Sequence, residues 1–463
     1  MTFLKLSDRP ASLSPGMEKA TPLHVVLKPD IDAWFEPLGE RDRNWVRSQG
    51  DLETNFKIIP LSAEGGKLNR VIAILGEKDL ASFAKIPALL PEGTYVYENL
   101  KDEDRQTAAL GWALGQYRFT RYTPASDALR ILEAAGPDIN RLINATHLTR
   151  DLINTPTNDM GPTELASAAE ACAKAYGATY SICIGDELLI ENFPAIHAVG
   201  RAAAEAPRLI DLIWGDESHP KVTLVGKGVC FDTGGLDIKP GAGMRIMKKD
   251  MGGAAHALAL AAMIMDAGLP IRLRLLIPAV ENAISSNAYR PGDVIQTRKG
   301  LSIEVGNTDA EGRIVLCDAL ALADEEEPEL LIDFATLTGA ARVALGPDLP
   351  AMFTNDDELA NGISSIGLDI EDPVWRMPLW QGYKDTLKSP IADLNNISDG
   401  PFAGAITAAL YLEHFVEKTK SWVHFDVYGW NATARPHRPK GGEAMALRAT
   451  FAYLANRFAS SKK

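Results

Sequence analysis

The chain has 463 residues, 46% hydrophobic and 23% charged, which is the profile of a globular protein, and its length predicts roughly two to four domains. A formal charge of −14 repels phosphate backbones and anionic lipid, so nucleic acid and membrane surfaces are disfavoured as partners. The nearest approach to a basic run, Arg118 to Arg121, holds only two arginines.

Met1 to Pro10 contain no apolar stretch long enough for a leader peptide. Next in the chain, Leu23–Leu27 and Arg70–Leu75 read as buried strands, ended by Pro29 and Gly76. Asp104 to Gln116 has the apolar spacing of a helix. Together these predict a small α/β unit over 1–140. A connecting helix through Pro137 to Asn154 and a breaking turn, Thr155 to Pro162, form the 141–162 link.

From 163 to 463 the pattern becomes strand, loop, helix, repeated. Thr163–Tyr176 is an alanine-rich helix, and Lys221–Val225 a strand that runs into Gly226-Lys227-Gly228. Gly252–Ala267 reads as an apolar helix and Ile271–Val280 as a strand; the stretch Ala254 to Met265 is too short to span a bilayer. Leu301–Val305 alternates as a strand, Gly312–Asp324 is helical, and Leu330–Phe334 and the aromatic run Trp422–Trp430 read as core strands. The predicted class is therefore α/β, with a mostly parallel or mixed sheet covered by helices. Cys172, Cys183, Cys230 and Cys317 are scattered without a CxxC pair, which fits a reducing cytoplasm.

Ligands in such sheets collect outside the carboxyl ends of the strands, and there the sequence concentrates its unusual residues. Asp309 and Glu311 are two apart on what reads as an extended segment, so their side chains point the same way. Like charges held that close need a cation between them. Asp232, in a glycine-dense loop, and Asp250, at a helix start, supply two further carboxylates. Four carboxylates without a neighbouring histidine suit hard or borderline divalent metals, and a two-metal site activates water for hydrolysis. A lysine in such a cluster is either a neutral ligand or a cation aimed at developing negative charge, and Lys227 and Lys239 could divide these roles. Arg313 could hold an anion.

These segments, Gly226–Lys239, Met247–Ala255 and above all Asn307-Thr308-Asp309-Ala310-Glu311-Gly312-Arg313, resemble the leucyl aminopeptidase family of cytosolic metallopeptidases. The resemblance extends over most of 145–455, including Glu281–Ile284 and Ala335–Gly339. It implies a small N-terminal macro-like α/β domain before a larger catalytic domain. It also implies two divalent ions per subunit, manganese or zinc. One would be held by Lys227, Asp232, Asp250 and Glu311, the other by Asp232, Asp309 and Glu311, with Asp232 and Glu311 bridging. Lys239 would polarise the scissile carbonyl, and Arg313 would hold a bicarbonate that acts as general base. Met247, Thr336 and Gly339 would line the pocket for the first side chain, favouring leucine-like residues. Short peptides as substrates, a homohexamer and a cytoplasmic location complete what the resemblance implies.

Other readings are weaker. There is no GxxxxGK[ST], HExxH or GxSxG, which removes the sequence basis for a phosphate loop, a single-zinc protease and a serine hydrolase. His256, Cys230, Cys317, Met244 and Met251 read as core residues. A DNA-binding or regulatory scaffold of the same fold is the alternative function, disfavoured by the acidic charge and by the intact motif.

Overall fold

The computed structural model describes residues 5–8, 10, 12–16, 19–63, 66–124, 129–134 and 136–458. Met1 to Leu4 and Arg9, part of the stretch read for a leader, lie outside the described residues. The chain divides into two compact units, one built mainly from 6–147 and the other mainly from 148–430. Residues 431–440 belong to the first unit, although they follow the second in the chain.

The N-terminal unit is a six-stranded sheet in the order Leu13–Ser14, Arg130–Glu133, Gly93–Tyr97, Thr21–Leu27, Leu68–Leu75, Phe56–Ser62. All neighbours are parallel except the last pair. The strands expected near 23–27 and 70–75 are present and a little longer. The helix Asp102–Gly115 carries three acidic residues in its first turn, where they favour the dipole. Its glycines let it press on the helix Leu80–Lys85: a Cβ on Gly115 would meet the Ala84 carbonyl oxygen at 2.2 Å. Trp112, fully buried, anchors the core against Tyr95 and Tyr97 and donates its indole N–H to the Arg130 carbonyl at 3.2 Å.

The helix Pro137–Asn154 is where the sequence places it, and Thr157–Asp159 makes a short 3₁₀ turn within the expected break. In the larger unit the main sheet runs Trp375–Arg376, Ala351–Thr354, Trp422–Asp426, Leu330–Ala335, Lys221–Gly226, Arg272–Asn282, Arg208–Trp214, Thr179–Ile184, with Gly228–Asp232 also paired to Arg272–Asn282. It is mixed: Trp422–Asp426, Leu330–Ala335, Lys221–Gly226, Arg272–Asn282 and Gly228–Asp232 run parallel. Arg208–Trp214 and Thr179–Ile184 pair antiparallel with their neighbours, and Ala351–Thr354 is antiparallel to Trp422–Asp426 but parallel to Trp375–Arg376. Every residue of Leu330–Ala335 is buried, as a strand covered on both faces requires. One covering element is the helix Gly252–Ala267, apolar nearly all round. The polar residue in that strand, Asp333, is matched by the indole N–H of Trp422 at 2.8 Å and by His424 Nδ1 at 2.5 Å.

Three details differ from the sequence reading. Leu301–Val305 contributes only Ser302–Glu304, and to a separate three-stranded sheet with Val294–Gln296 and Leu394–Asn395. Trp422–Trp430 is not one strand: pairing stops at Asp426, and Gly429 takes a left-handed φ of 64° that turns the chain. Asp309 and Glu311 do not lie on an extended segment, because Asp309 sits in a turn and Glu311 opens the helix Glu311–Glu325. His256 is a core residue as expected, its Nδ1 2.6 Å from the Gly252 carbonyl and its Nε2 accepting from the Met445 amide at 2.9 Å. All four cysteines are free, with Cys230 and Cys317 buried.

Candidate active site

The parallel strands converge their carboxyl ends on one cluster. Lys227 lies between Lys221–Gly226 and Gly228–Asp232, Asp232 ends the second of these, and Asn282 ends Arg272–Asn282. Thr336 follows Leu330–Ala335, and Asp426 ends Trp422–Asp426. This is the position at which an open α/β sheet offers a binding site.

Lys227 is buried, and its Nζ lies 2.6 Å from Asp250 Oδ2, 2.7 Å from Glu311 Oε1 and 3.1 Å from the Thr336 carbonyl. Burial alone would lower the Lys227 ammonium, but Asp250, Glu311 and Asp232 outweigh it and hold the group well above its ordinary range. Among the carboxylates alone Lys227 keeps its proton, which it would give up on serving as a metal ligand. Gly312 makes room for it, since a Cβ at that position would fall 2.6 Å from Lys227 Cε. Lys239 is a second bridging cation, 2.7 Å from Asp232 Oδ2 and in contact with Asp309 Oδ1; the same competition between burial and carboxylates raises it.

The carboxylates respond unequally. Burial opposes ionisation of Asp250, yet Lys227 and Lys249 prevail and hold it below the usual range. Burial and the neighbouring Asp232 push Glu311 well above the usual range and Asp309 up to about 6. Asp232, Asp309 and Glu311 each offer an oxygen within 4.8 Å of the others. Glu311 Oε2 is buried and has no hydrogen-bond partner among the described residues. An oxygen-rich cluster with an unused buried acceptor and raised acids fits a divalent cation, which would relieve the repulsion that the two lysines only partly offset.

The surrounding hydrogen bonds hold these carboxylates in place. Asp232 Oδ1 accepts from Asn282 Nδ2 and from the Gly234 amide, both at 2.8 Å. Gly234 and Gly235 have φ of 89° and 65°, the left-handed backbone this loop needs. The Thr308 hydroxyl donates to the Gly234 carbonyl at 2.6 Å, while its own carbonyl accepts from Asn282 and Tyr289 at 3.0 and 2.7 Å. Asp250 Oδ1 accepts the Thr336 hydroxyl at 2.8 Å. Arg313 commits Nη1 to the Asn396 carbonyl at 2.5 Å and makes no ion pair with the four carboxylates. Met247 lies on the turn Met247–Met251 that carries Asp250, and Gly339 opens a helix with clear space where a side chain would be.

Several residues were not singled out from sequence. Lys249 is buried 3.5 Å from Asp250 Oδ1, over the ring of Tyr428. Asp426 holds the loop that carries Thr336, accepting the amides of Leu337 and Thr338 at 3.0 and 3.2 Å and the Thr338 hydroxyl at 2.6 Å. Asn282 and Tyr289 act through Asp232 and Thr308. An aspartate closing a buried, largely aromatic strand was the one available signal for Asp426.

The sequence profile of the cytosol aminopeptidase family catalytic domain matches residues 147–451, and that of the M17 aminopeptidase N-terminal domain matches 21–133. A probable cytosol aminopeptidase of Syntrophotalea carbinolica is 40% identical over 365 residues, covering 74% of this chain and 73% of the relative. The crystal structure of a cytosol aminopeptidase from Coxiella burnetii superposes with a TM-score of 0.93 at 48% identity, covering 97% of this chain and all of that one. The bottromycin maturation enzyme BotP in complex with Mn superposes with a TM-score of 0.84 at 29% identity, over 97% of this chain and all of its own. The chain belongs to the cytosol aminopeptidase family and is an aminopeptidase.

Proposed function

We propose that this aminopeptidase removes leucine-like residues from the N-termini of short peptides with water activated at two divalent ions. The observation that carries the reading is the convergence of Asp232, Asp309 and Glu311 within 4.8 Å, with Lys227 and Lys239 set between carboxylates. Lys227, Asp232, Asp250 and Glu311 would hold one ion, and Asp232, Asp309 and Glu311 the other. Manganese and zinc both suit these donors. When bound, the ions supply Lewis acidity and a nucleophilic water at neutral pH.

The chain's own residues perform the remaining tasks. Asp250, kept ionised by Lys227 and Lys249, attracts the free α-ammonium of the peptide and so limits cleavage to the first residue. Lys239 directs its ammonium at the scissile carbonyl oxygen, where negative charge develops. Arg313, with one N–H spent on Asn396, offers the rest of its fork to an anion, and a bicarbonate held there would supply general-base chemistry. Met247, Thr336 and Gly339 line the pocket for the first side chain, and the open space at Gly339 admits a branched aliphatic group. We place the reaction in the 163–463 segment, with 1–140 as a separate domain joined by 141–162. The names of the relatives and the scattered free cysteines support a cytoplasmic location, and the family resemblance supports a homohexamer.

Hydrolysis of leucine p-nitroanilide and N-acetyl-leucine p-nitroanilide tests the reading, with manganese added and then removed by a chelator. Cleavage of the free-amine substrate alone, lost with the metal and restored by it, is the expected result. Equal cleavage of both substrates, or chelator-resistant turnover, would sink it.

A further inference from the structure

The segment 306–310, which carries Asp309, belongs to neither a strand nor a helix. Its backbone groups have no ladder to join, so side chains must satisfy them. Asn282 and Tyr289 hold the Thr308 carbonyl, and Asp237 Oδ2 accepts the Thr308 amide at 2.8 Å. Asn307 Oδ1 accepts the Asp309 amide at 2.7 Å. The rest falls to one residue far along the chain, Asn396.

Asn396 is fully buried. Its Oδ1 accepts the amides of Gly306 and Asn307 at 2.8 and 3.2 Å, and its Nδ2 donates to the carbonyls of Asn307 and Ala310 at 2.8 and 3.4 Å. An asparagine amide has two acceptor and two donor places, and all four serve this one loop. Its backbone is tied on both sides as well. The Asn396 amide donates to the Glu304 carbonyl at 3.1 Å, and the Asn396 carbonyl accepts from Arg313 Nη1 at 2.5 Å. The strand Leu394–Asn395 pairs in parallel with Ser302–Glu304, with Glu304 opposite Asn395, and this register delivers Asn396 to the loop. Gly306 permits the close approach, since a Cβ there would fall 2.4 Å from Asn395 Oδ1 and 2.6 Å from Ile397 Cγ1.

The carboxylates and Lys227 depend on this clamp unequally. Lys227 and Asp232 stand at strand ends, Asp250 on the turn Met247–Met251, and Glu311 on a buried helix. Asp309 alone lies inside the clamped segment. We propose that Asn396 is a positioning residue for the reaction, holding Asp309 as a metal ligand and Arg313 as an anion holder in one fixed relation. Its loss weakens the ion at Asp309 and spares the ion at Asp250. The inference rests on the two-ion reading and deepens it.

Manganese titration and hydrogen exchange of the metal-free, full-length enzyme test the proposal in Asn396→Ala and Asn396→Asp. Wild type is expected to bind manganese in two classes of site. Asn396→Ala should weaken one class ~10–100-fold and leave the other within ~3-fold. Exchange should quicken at 306–310 but not in the helix Gly252–Ala267. For leucine p-nitroanilide, kcat should fall ~10–100-fold with KM within ~3-fold. Asn396→Asp keeps the size and both acceptors, which guards against a variant that does not fold. Its added charge favours a cation, so slower turnover with faster exchange at 306–310 there reports the lost donors. Weakening of both classes alike, or of neither, in folded Asn396→Ala would overturn the proposal. So would unchanged exchange at 306–310 in both variants. A wild type that binds a single ion, with loop and kcat still responding to the variants, would count against the two-ion reading alone.

Discussion

Both sheets gather polar groups outside the carboxyl ends of parallel strands, yet the two edges hold their charges in opposite ways. In the larger unit, Lys227 and Lys239 sit between carboxylates at 2.6–2.7 Å, and four acids crowd a buried space with Lys249 beside them. In the N-terminal unit, Arg105, Glu133 and Asp138 border an open cavity, and among the described residues Arg105 pairs with neither carboxylate. The first edge holds repulsion that a cation would relieve, so its electrostatics are fixed by the protein before any substrate arrives. The second spreads a few charged side chains around an open cavity and pairs them with near neighbours on their own helices, as Arg105 with Asp102 and Asp138 with Arg141. A shared architectural rule thus yields two kinds of edge, distinguished by how closely the charges are held.

The sharpest test of that contrast is Glu311→Gln. The substitution keeps the shape but removes the charge of a residue whose second oxygen is unused and buried. We expect leucine p-nitroanilide turnover to fall by at least ~10³-fold. Metal content, read by atomic emission, should fall with it. Thermal melting of the chelated variant should occur at or above that of chelated wild type, because burial and Asp232 already disfavour the ionised form of this carboxyl. A variant that stays active, or that melts far lower when chelated, would break the picture of an edge held under repulsion.

The larger unit's edge was legible in the sequence because its requirements are local. Asp309, Glu311, Gly312 and Arg313 fall within five residues, and Gly234, Gly235 and Gly312 stand where backbone twist or the passage of Lys227 excludes a Cβ. The convergence of Asp309 with Glu311 was anticipated for the wrong local reason: a turn and a helix start, not strand alternation, bring them together. Lys249, Asn282 and Asp426 escaped because each depends on a partner in another element, as Asp426 does on Leu337 and Thr338. The N-terminal cavity left no motif either, since Arg105 and Glu133 come from a helix and a strand that only the fold brings together.

Two glycine substitutions separate constraint for chemistry from constraint for packing. In Gly312→Ala the new methyl would meet Lys227 Cε at 2.6 Å and Nζ at 2.8 Å, displacing a long side chain whose head touches Asp250 and Glu311. Turnover should fall ~10–100-fold, since catalytic groups tolerate little displacement, with only a small change in melting temperature. In Gly115→Ala the methyl would meet the Ala84 carbonyl oxygen at 2.2 Å, against backbone that cannot yield. This variant should lose ~1–3 kcal/mol of stability by overpacking, with turnover per folded molecule unchanged. Steady-state kinetics and thermal melting on the same preparations check both, and reversal of the pattern would mean that Gly312 serves packing first.

The smallest expected effect concerns pH. Burial and Asp232 raise Asp309 to about 6 in the metal-free protein, against 3.8 as its ordinary value. Between those values the folded state binds more protons than the unfolded one, so stability from this group falls as pH rises through about 4 to 6 and is level above. Asp309 is about a third exposed (32%), so solvent screening reduces the effect, and a shift of ~2–4 °C in melting temperature is expected. The measurement is the difference between chelated wild type and Asp309→Asn, melted at intervals from pH 4 to pH 8. The variant should gain relative to wild type as pH rises and hold that gain above pH 6. With saturating manganese the difference should reverse in sign at neutral pH, because the carboxylate then faces a cation. Burial raises Tyr97, which keeps its proton throughout this range, so Tyr97→Phe should leave the pH profile unmoved, and a profile that moved with it would mean that the two edges are electrostatically one system.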